Sequence, residues 1–246
     1  MHKIDLNCDM GEGFATDAAI MPFISSANIA CGYHAGDDDT MRQTVALASA
    51  HHVAIGAHPG FADKPNFGRT EMQLPLNEVF DLVAEQVHRL QNIAHENGAK
   101  LHHVKPHGAL YNMSARDALL ADTIAKAVYQ VDQTLVLFGL SGSYSISEAK
   151  NTGLSTASEV FADRSYQPDG SLTPRSKPGA MIESEEASME QVLRMIEQKT
   201  VIALDGEALP IQAETICIHG DGKQAVQFAK YIFLTLQQHN IGIKTI

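Results

Sequence analysis

The sequence contains neither a long apolar run nor a cluster of basic residues, and these absences exclude large classes of protein. No stretch approaches the roughly eighteen apolar residues of a membrane-spanning helix, and the first residues, Met-His-Lys-Ile-Asp, do not begin an apolar signal peptide. The acidic residues are spread along the chain and give a formal net charge of -11, which argues against nucleic-acid binding. We therefore expect a soluble, cytoplasmic protein whose partner is a small ligand or another protein, with no nucleic acid and no membrane.

Cysteine is scarce as well. The three cysteines, Cys8, Cys31 and Cys217, cannot all pair with one another, and their spacing matches neither a zinc ribbon nor a Cys-x-x-Cys redox motif. Each cysteine lies near the end of an apolar run. We therefore expect buried free thiols.

The common nucleotide and hydrolase motifs are also missing. The segment 220–223, Gly-Asp-Gly-Lys, lacks the spacing of a P-loop, and no Gly-x-Gly-x-x-Gly opens a helix. Ser141 and Ser143 occupy a Gly-Ser turn without the Gly-x-Ser-x-Gly elbow, and no His-Glu-x-x-His is present. Any ATP site is therefore unconventional or shared, and a serine hydrolase is disfavoured.

What the sequence does contain is an alternation of apolar strands and amphipathic helices along 246 residues. This pattern predicts parallel right-handed crossovers and a single-domain β/α barrel over residues 1–246, with seven or eight mostly parallel strands and an open doubly wound sheet as the alternative. The last helix is expected to close the ring against the first strand. The clearest helix is predicted at 77–97, and strands are predicted at 4–8, 26–31, 53–57, 101–104, 135–140, 156–161, 200–204 and 212–218.

Polar side chains follow nearly every predicted strand. The densest group lies in the segment 101–112, where a short strand runs into Lys105, His107, Tyr111 and Asn112 around a Pro-His-Gly corner. Active sites of β/α barrels lie at the carboxyl ends of the strands, so this distribution favours a barrel over an open sheet. The long segment 165–180, with three prolines, is predicted to be a functional loop or lid.

These strand-end groups suit two kinds of chemistry. Asp9, His34 and His58 are candidate metal ligands, together with Glu12, because carboxylates and neutral imidazoles bind zinc, manganese or iron. The same residues serve equally well as acid, base and substrate anchors. Lys105 is the best candidate for binding an anion or stabilising negative charge, with His107 beside it for proton transfer.

Six blocks of residues, in order, give the sequence a resemblance to a known family. They are the segments 7–13, 26–37, 55–59, 103–112, 159–164 and 218–221. Together they resemble the LamB/YcsF family over residues 3–240. The segment after Gly13 is a departure, because many members have a longer tryptophan-containing insert there and this sequence has no tryptophan.

The resemblance implies a barrel similar to those of the glycoside hydrolase and deacetylase class. It also implies ATP-dependent cleavage of 5-oxoproline (pyroglutamate) to L-glutamate, with ATP hydrolysed to ADP and phosphate, by a subunit that works with partner subunits B and C of a prokaryotic 5-oxoprolinase. The implied cosubstrate is ATP, and Mg would accompany it if a divalent metal is bound.

Against that chemistry the sequence suggests roles for particular residues. The predicted catalytic residues are Lys105, His107, Asp9 and Glu12, and the predicted substrate-binding residues are His34, His58, Asn112, Glu159, Arg164 and His219. Lys105 and Arg164 would hold phosphate or a substrate carboxylate, while Asp9 and Glu12 would orient water or a cation. Two alternatives stay open: a metal-dependent deacetylase of an N-acetylated sugar, and a noncatalytic subunit that presents 5-oxoproline to its partners.

Overall fold

The computed structural model describes residues 2–218 and 224–246. Seven of its strands are parallel neighbours, and the last of the seven pairs with the first, so the sheet closes into a barrel. The predicted β/α barrel is therefore confirmed. The strands are, in chain order, β1 (Lys3–Met10), β2 (Ser26–Ala30), β3 (Ala54–His58), β4 (Leu101–Val104), β5 (Val136–Leu140), β6 (Ser155–Phe161), β7 (Thr200–Ile202), β8 (Ala208–Pro210), β9 (Thr215–Ile218) and β10 (Gly242–Ile243).

Three short strands lie outside the barrel. β7 and β8 form a separate antiparallel ribbon, and β10 extends the sheet beside the start of β1. The prediction that 200–204 supplies a barrel strand is therefore wrong. The prediction that the last helix closes the ring is also wrong, because β9 pairs directly with β1.

Helices cover the outside of the barrel and bury apolar stripes against it. In the predicted helix at 77–97, Val79, Val83, Val87 and Leu90 are all buried, as the helical spacing requires. The helices are α1 (Asp17–Ile20), α2 (Asp38–Ala50), α3 (Leu76–Glu96), α4 (Gly108–Arg116), α5 (Ala118–Val131), α6 (Tyr144–Thr152), α7 (Glu185–Leu193) and α8 (Ala225–Gln238).

The turn after β4 leads directly into a helix, because residues 108–116 form α4. The next helix, α5, is capped by Asp117. Its carboxylate accepts hydrogen bonds from the backbone N–H groups of Leu119 and Leu120 at 3.0 and 3.1 Å. Because α4 begins at Gly108, its first turn lies directly over the barrel mouth.

The strands of the barrel alternate in character because successive side chains point to opposite faces. In β1 the apolar residues Ile4, Leu6 and Cys8 are buried in the hydrophobic core. Asp5 and Asn7 point the other way and meet side chains of other strands inside the barrel. All three cysteines are buried free thiols, which confirms the prediction. Among the described residues, no helix is both long and apolar enough to span a membrane.

Candidate active site at the barrel mouth

A cavity of about 1130 Å³ opens at the carboxyl ends of the barrel strands. Its walls come from widely separated parts of the chain, as the barrel geometry requires. The segment 167–177, part of the predicted lid, forms one wall. The charged lining residues are Asp9, Glu12, Arg69, Glu71, Lys105, Arg116, Arg164, Asp169, Arg175 and Lys177.

Four side chains form a tight cluster, which we call the histidine cluster: Glu12, His34, His58 and His107. Three of them line the cavity, and His34 is buried behind them. Glu12 Oε1 lies 3.2 Å from His34 Nε2, 3.3 Å from His107 Nδ1 and 3.8 Å from His58 Nε2. His107 Nδ1 also lies 2.9 Å from His58 Nε2. One carboxylate oxygen is therefore surrounded by three imidazoles from three different strand ends.

Backbone contacts fix the orientation of these rings. His58 Nδ1 donates to the carbonyl of Lys105 at 2.6 Å, and His107 Nε2 donates to the carbonyl of Phe67 at 2.9 Å. These two bonds leave His58 Nε2 and His107 Nδ1 facing Glu12 and each other. The rings of His34 and His107 stack with centroids 3.7 Å apart.

Glycine makes this close packing possible. A Cβ atom on Gly68 would lie 2.7 Å from His34 Cβ, and one on Gly60 would lie 2.8 Å from His34 Nδ1. Gly68 also has a positive φ of 64°, which L side chains rarely adopt. The loop after β3 can therefore approach the rings only because both positions lack side chains.

The electrostatic environment keeps two of the imidazoles neutral. Burial, together with the neighbouring His58, lowers the pKa of His34 to about 2. Burial also lowers the pKa of His107 well below its ordinary value, again with His58 as the next cause. Neutral imidazoles keep a lone pair for a metal ion.

The spacing of the histidine cluster fits one metal ion. One ligand atom from each of the four residues lies within 4.8 Å of all the others. Ligands placed about 2.1 Å from a common metal would be separated by roughly 3–4 Å. The donor set of three nitrogens and one carboxylate oxygen suits zinc, manganese or iron. Three of the four predicted ligands, Glu12, His34 and His58, belong to the cluster, whereas Asp9 lies beside it.

Lys105 lies next to the histidine cluster and is buried between carboxylates. Its Nζ is 2.9 Å from Asp9 Oδ1 and 2.9 Å from Glu159 Oε1, and it donates to Cys217 Sγ at 3.2 Å. Burial alone would lower the pKa of an ammonium group, but Asp9, Cys217 and Glu159 outweigh burial and raise the pKa of Lys105 well above its ordinary value. Lys105 is therefore a cation and is unsuited to Schiff-base chemistry.

Asp9 joins Lys105 to the histidine cluster. Its second oxygen, Oδ2, lies 3.2 Å from His58 Nε2, while Oδ1 faces Lys105. The two oxygens of one carboxylate therefore contact the lysine and the histidine cluster at the same time. This contact makes the two groups a single site.

Two further side chains complete the inner wall. Tyr111, from the first turn of α4, is buried, and burial together with the nearby Glu159 raises its pKa well above the ordinary value. Arg164 follows β6 and donates to the carbonyls of Ala180 and Thr173 at 3.3 and 2.5 Å. Burial and the charge of Arg175 lower the pKa of Arg164. Two guanidinium groups in proximity favour an anion at this wall.

The sequence that forms this site matches a known protein family. The model of the LamB/YcsF family matches residues 4–246. The chain belongs to the LamB/YcsF family. The resemblance seen in the six sequence blocks is thereby confirmed.

Curated relatives match over nearly the whole chain. A protein of Tolumonas auensis, named as the A subunit of 5-oxoprolinase, is 54% identical, with 99% of each chain covered. A protein of the same name from Bordetella parapertussis is 53% identical, with 98% of each chain covered.

Solved structures agree on the fold. A lactam utilization protein from Thermus thermophilus is 41% identical, covers 99% of this chain and 100% of its own, and has a TM-score of 0.93. A family 4 carbohydrate esterase from Streptomyces lividans shares 13% identity and a TM-score of 0.55, with 100% of this chain and 93% of that chain covered. The second likeness concerns the fold alone.

The structure brings most of the predicted site residues of this family member to one place. Asp9, Glu12, His58, Lys105, His107 and Arg164 line the cavity. His34 and Glu159 are buried behind its lining, where His34 contacts Glu12 and Glu159 contacts Lys105. Asn112 lies further out, is exposed, and donates to the carbonyl of Gly108 at 3.1 Å. His219 lies outside the described residues.

Sequence reasoning missed three residues that contact this site from below: Asn7, Asn28 and Cys217. All three are fully buried. The signal for the two asparagines was present, because an amide at an inward position of an otherwise apolar strand needs a buried partner. Nothing comparable in the sequence indicated that the thiol of Cys217 contacts the site.

Proposed function

We propose that this chain is a subunit of an ATP-dependent 5-oxoprolinase, which cleaves 5-oxoproline to L-glutamate and hydrolyses ATP to ADP and phosphate. The names and full-length coverage of the two curated relatives support this proposal. The observation that carries it in the structure is the single cavity where the histidine cluster, the Asp9–Lys105 pair and Arg164 meet. We further propose that it acts in the cytoplasm with partner subunits B and C.

The chemistry explains why such a site would be needed. The amide of 5-oxoproline is stabilised by resonance and resists attack by water. Transfer of a phosphoryl group from ATP to the lactam oxygen releases ADP and makes the ring carbon electrophilic. Water then adds to that carbon, the ring nitrogen leaves with a proton, and a second water releases phosphate from the resulting carboxyl group.

The chain's own residues fit parts of this sequence of steps. Arg164 lines the cavity wall and can hold the substrate carboxylate or phosphate. In a site without a bound cation, His107 has a neutral imidazole beside Glu12 and can move a proton to or from the ring nitrogen, whereas with a cation bound its Nδ1 would serve as a ligand instead. Asp9 can orient the attacking water, because Lys105 fixes one of its oxygens and leaves the other facing His58.

A divalent cation also belongs to this proposal. Glu12, His34, His58 and His107 would hold it, since their donor types and spacing fit one ion. When bound, such a cation polarises a carbonyl or phosphoryl oxygen and lowers the pKa of bound water. Mg accompanying ATP would prefer oxygen ligands and therefore a second position.

The metal proposal is tested by titrating the purified chain with Zn²⁺ and with Mn²⁺ by calorimetry. We expect one ion per chain, and we expect His34→Ala to weaken binding at least about 10-fold. His95→Ala is the control, because His95 is exposed in the last turn of α3. Equal affinity in the two variants would remove the histidine cluster from metal binding.

The activity is tested with the chain assembled with its two partner subunits. We expect glutamate formation from 5-oxoproline only when ATP is present, and we expect Lys105→Met to abolish it. Lys100→Met is the matched control, because Lys100 is exposed and directly precedes the strand that Lys105 follows. Near-normal turnover of Lys105→Met would exclude that residue from the mechanism.

The histidine cluster also favours a second function, metal-dependent deacetylation of an N-acetylated sugar. This hypothesis needs the cluster and a cation but no ATP. Release of acetate from N-acetylated glycans by the isolated, metal-loaded chain would support it. No acetate together with ATP-dependent glutamate formation in the complex would reject it.

A third hypothesis makes the chain a noncatalytic subunit that presents 5-oxoproline to its partners. In that case the Asp9–Lys105 pair would serve binding alone. Variants of the pair would then raise the KM for 5-oxoproline and leave kcat unchanged in the assembled complex. A loss of kcat would reject the presenting role.

A further inference from the structure

Below the barrel mouth lies a group of buried amide and imidazole side chains that the proposed reaction does not use. The interior of a β/α barrel is ordinarily filled by branched apolar residues. Here Asn7 of β1, Asn28 of β2 and His103 of β4 occupy it, and each is fully buried. Buried polar groups are costly unless they are paired, so their contacts identify what they do.

Asn28 contacts the active site directly. Its Nδ2 donates to Asp9 Oδ1 at 2.8 Å and to Asn7 Oδ1 at 2.8 Å. The strand register places Asn28 beside Asp9 on neighbouring strands, so the contact follows from the pairing of β1 with β2. Asp9 Oδ1 therefore receives two donors, one from Asn28 and one from Lys105.

Asn7 extends the same contact to the lysine. Its Oδ1 accepts from Lys105 Nζ at 3.2 Å as well as from Asn28. Its Nδ2 donates to Thr215 Oγ1 at 2.6 Å, which fixes the amide from the other side. Asn28 thus holds Asp9 directly and Lys105 through Asn7.

The donor and acceptor roles around Asn28 allow one orientation of its amide. A carboxylate only accepts, so the NH₂ group must face Asp9, and a flipped amide would set two acceptors against each other. The Asn28 oxygen then faces His103 Nε2 at 2.9 Å and requires a proton on that nitrogen. His103 is consequently the Nε2–H tautomer.

The ring of His103 has little freedom to change this arrangement. It stacks on Phe138 with centroids 4.2 Å apart. On the other side, a Cβ atom on Gly56 would lie 2.0 Å from His103 Nε2, so only glycine leaves room for the ring. His103 therefore presents a fixed donor to Asn28.

We propose that Asn28 is a positioning residue that holds the Asp9 carboxylate and the Lys105 ammonium in their working geometry, and that His103 fixes the orientation of the Asn28 amide. The proposal rests on the proposed function for its kinetic consequence. Its structural consequence, the placement of Asp9, is independent of which reaction the site performs.

The kinetic test compares Asn28→Ala with Ser26→Ala in the assembled complex. Ser26 lies on the same strand, is equally buried, and donates to Asp5 at 2.7 Å, away from the mouth. We expect Asn28→Ala to lower kcat about 10- to 100-fold with KM changed less than about threefold. Ser26→Ala should keep kcat. Equal kcat values in the two variants would overturn the proposal.

Variants of His103 separate positioning from packing. His103→Gln retains an N–H that can reach the Asn28 oxygen, whereas His103→Leu has none. We expect His103→Leu to lose kcat and His103→Gln to recover most of it. We also expect that adding His103→Leu to Asn28→Ala lowers kcat little further, because both substitutions act through Asp9. Equal losses of kcat in His103→Gln and His103→Leu would contradict the role given to His103. So would a double variant whose loss of kcat is the product of the two single losses.

Crystal structures decide the matter without an activity assay. In Asn28→Ala the Asp9 carboxylate should rotate away from the 2.9 Å contact with Lys105 seen in the wild-type chain. An Asp9 that keeps its place would overturn the positioning role. A wild-type complex that forms no glutamate would overturn the proposed function instead, so the two failures are distinguishable.

Discussion

The two ends of the barrel interior each hold an aspartate, and the two carboxylates have different partners. At the lower end Asp5 accepts hydrogen bonds from the hydroxyls of Ser25, Ser26 and Thr215 at 2.6, 2.7 and 2.5 Å. At the mouth Asp9 meets the ammonium of Lys105 and the imidazole of His58. Hydroxyls stabilise the Asp5 carboxylate with neutral donors, whereas the Lys105 ammonium stabilises Asp9 with a positive charge.

This difference teaches how a buried polar residue in a barrel can be assigned to structure or to chemistry. Asp5 is fully buried, and its hydrogen-bond partners are short hydroxyl side chains. Asp9 faces the cavity and shares its partners with the histidine cluster. The two roles therefore differ both in the identity of the partners and in access to the cavity.

The substitution expected to lower stability most lies at the barrel mouth. Lys105→Met leaves the buried Glu159 and the partly buried Asp9 without their shared cation, which should lower the free energy of unfolding by about 3–5 kcal/mol. Denaturant unfolding measures this loss. Lys100→Met should stay within about 0.5 kcal/mol of the wild type. A loss below about 1 kcal/mol for Lys105→Met would contradict this prediction, because Asp9 and Glu159 would then be stable at the mouth without the lysine.

The layer between the two ends can be tested by overpacking. Gly56→Ala places a methyl group 2.0 Å from His103 Nε2, so the ring or the strand must move. We expect a loss of about 1–3 kcal/mol in denaturant unfolding. The double variant Gly56→Ala, His103→Ala should cost less than the sum of the single variants, because it removes the overlap. Simple additivity would mean that the interior is not tightly packed at this layer.

A substitution of Asp5, at the lower end, should have the smallest effect on stability. This effect depends on pH. Burial raises the pKa of Asp5 above its ordinary value of 3.8, against the hydrogen bonds of Ser25, Ser26 and Thr215, which lower it. A raised pKa gives stability that is full below pH 3.8 and is lost as the pH rises through the folded-state pKa.

Asp5→Asn removes that dependence. The free energy of unfolding of the wild type should therefore fall relative to that of Asp5→Asn as the pH rises from about 4 toward 7, measured by denaturant unfolding at each pH. A difference that stays flat with pH would mean that Asp5 does not titrate differently in the folded chain. A wild type that gains stability relative to Asp5→Asn over this range would mean that the hydroxyls outweigh burial.

The sequence predicts the parts of the fold that depend on local pattern. The apolar stripe of α3 follows from helical spacing, and Asp9, His58 and Lys105 each follow an apolar strand, which places them on one rim once the barrel is assumed. That residues 1–246 form one domain stays a prediction.

The parts that sequence reasoning missed depend on contacts distant in sequence. The pattern assigns β7 to the barrel because a short apolar run does not reveal its pairing partner. The approach of Cys217 to Lys105 depends on how β9 closes the ring, which no local pattern encodes. The Pro-His-Gly corner indicates a functional His107, but the bond of its ring to the Phe67 carbonyl depends on the path of the loop after β3.

One strand connects both ends of the interior. Asp5, Asn7 and Asp9 alternate along β1 and form an inward column from the floor of the barrel to its mouth. A shift of β1 by one residue against its neighbours would turn the whole column toward the helices and bring Leu6 and Cys8 inside. The reactive groups therefore come together only when this strand aligns correctly during folding. A chain in which the strand is misaligned has no partly working site.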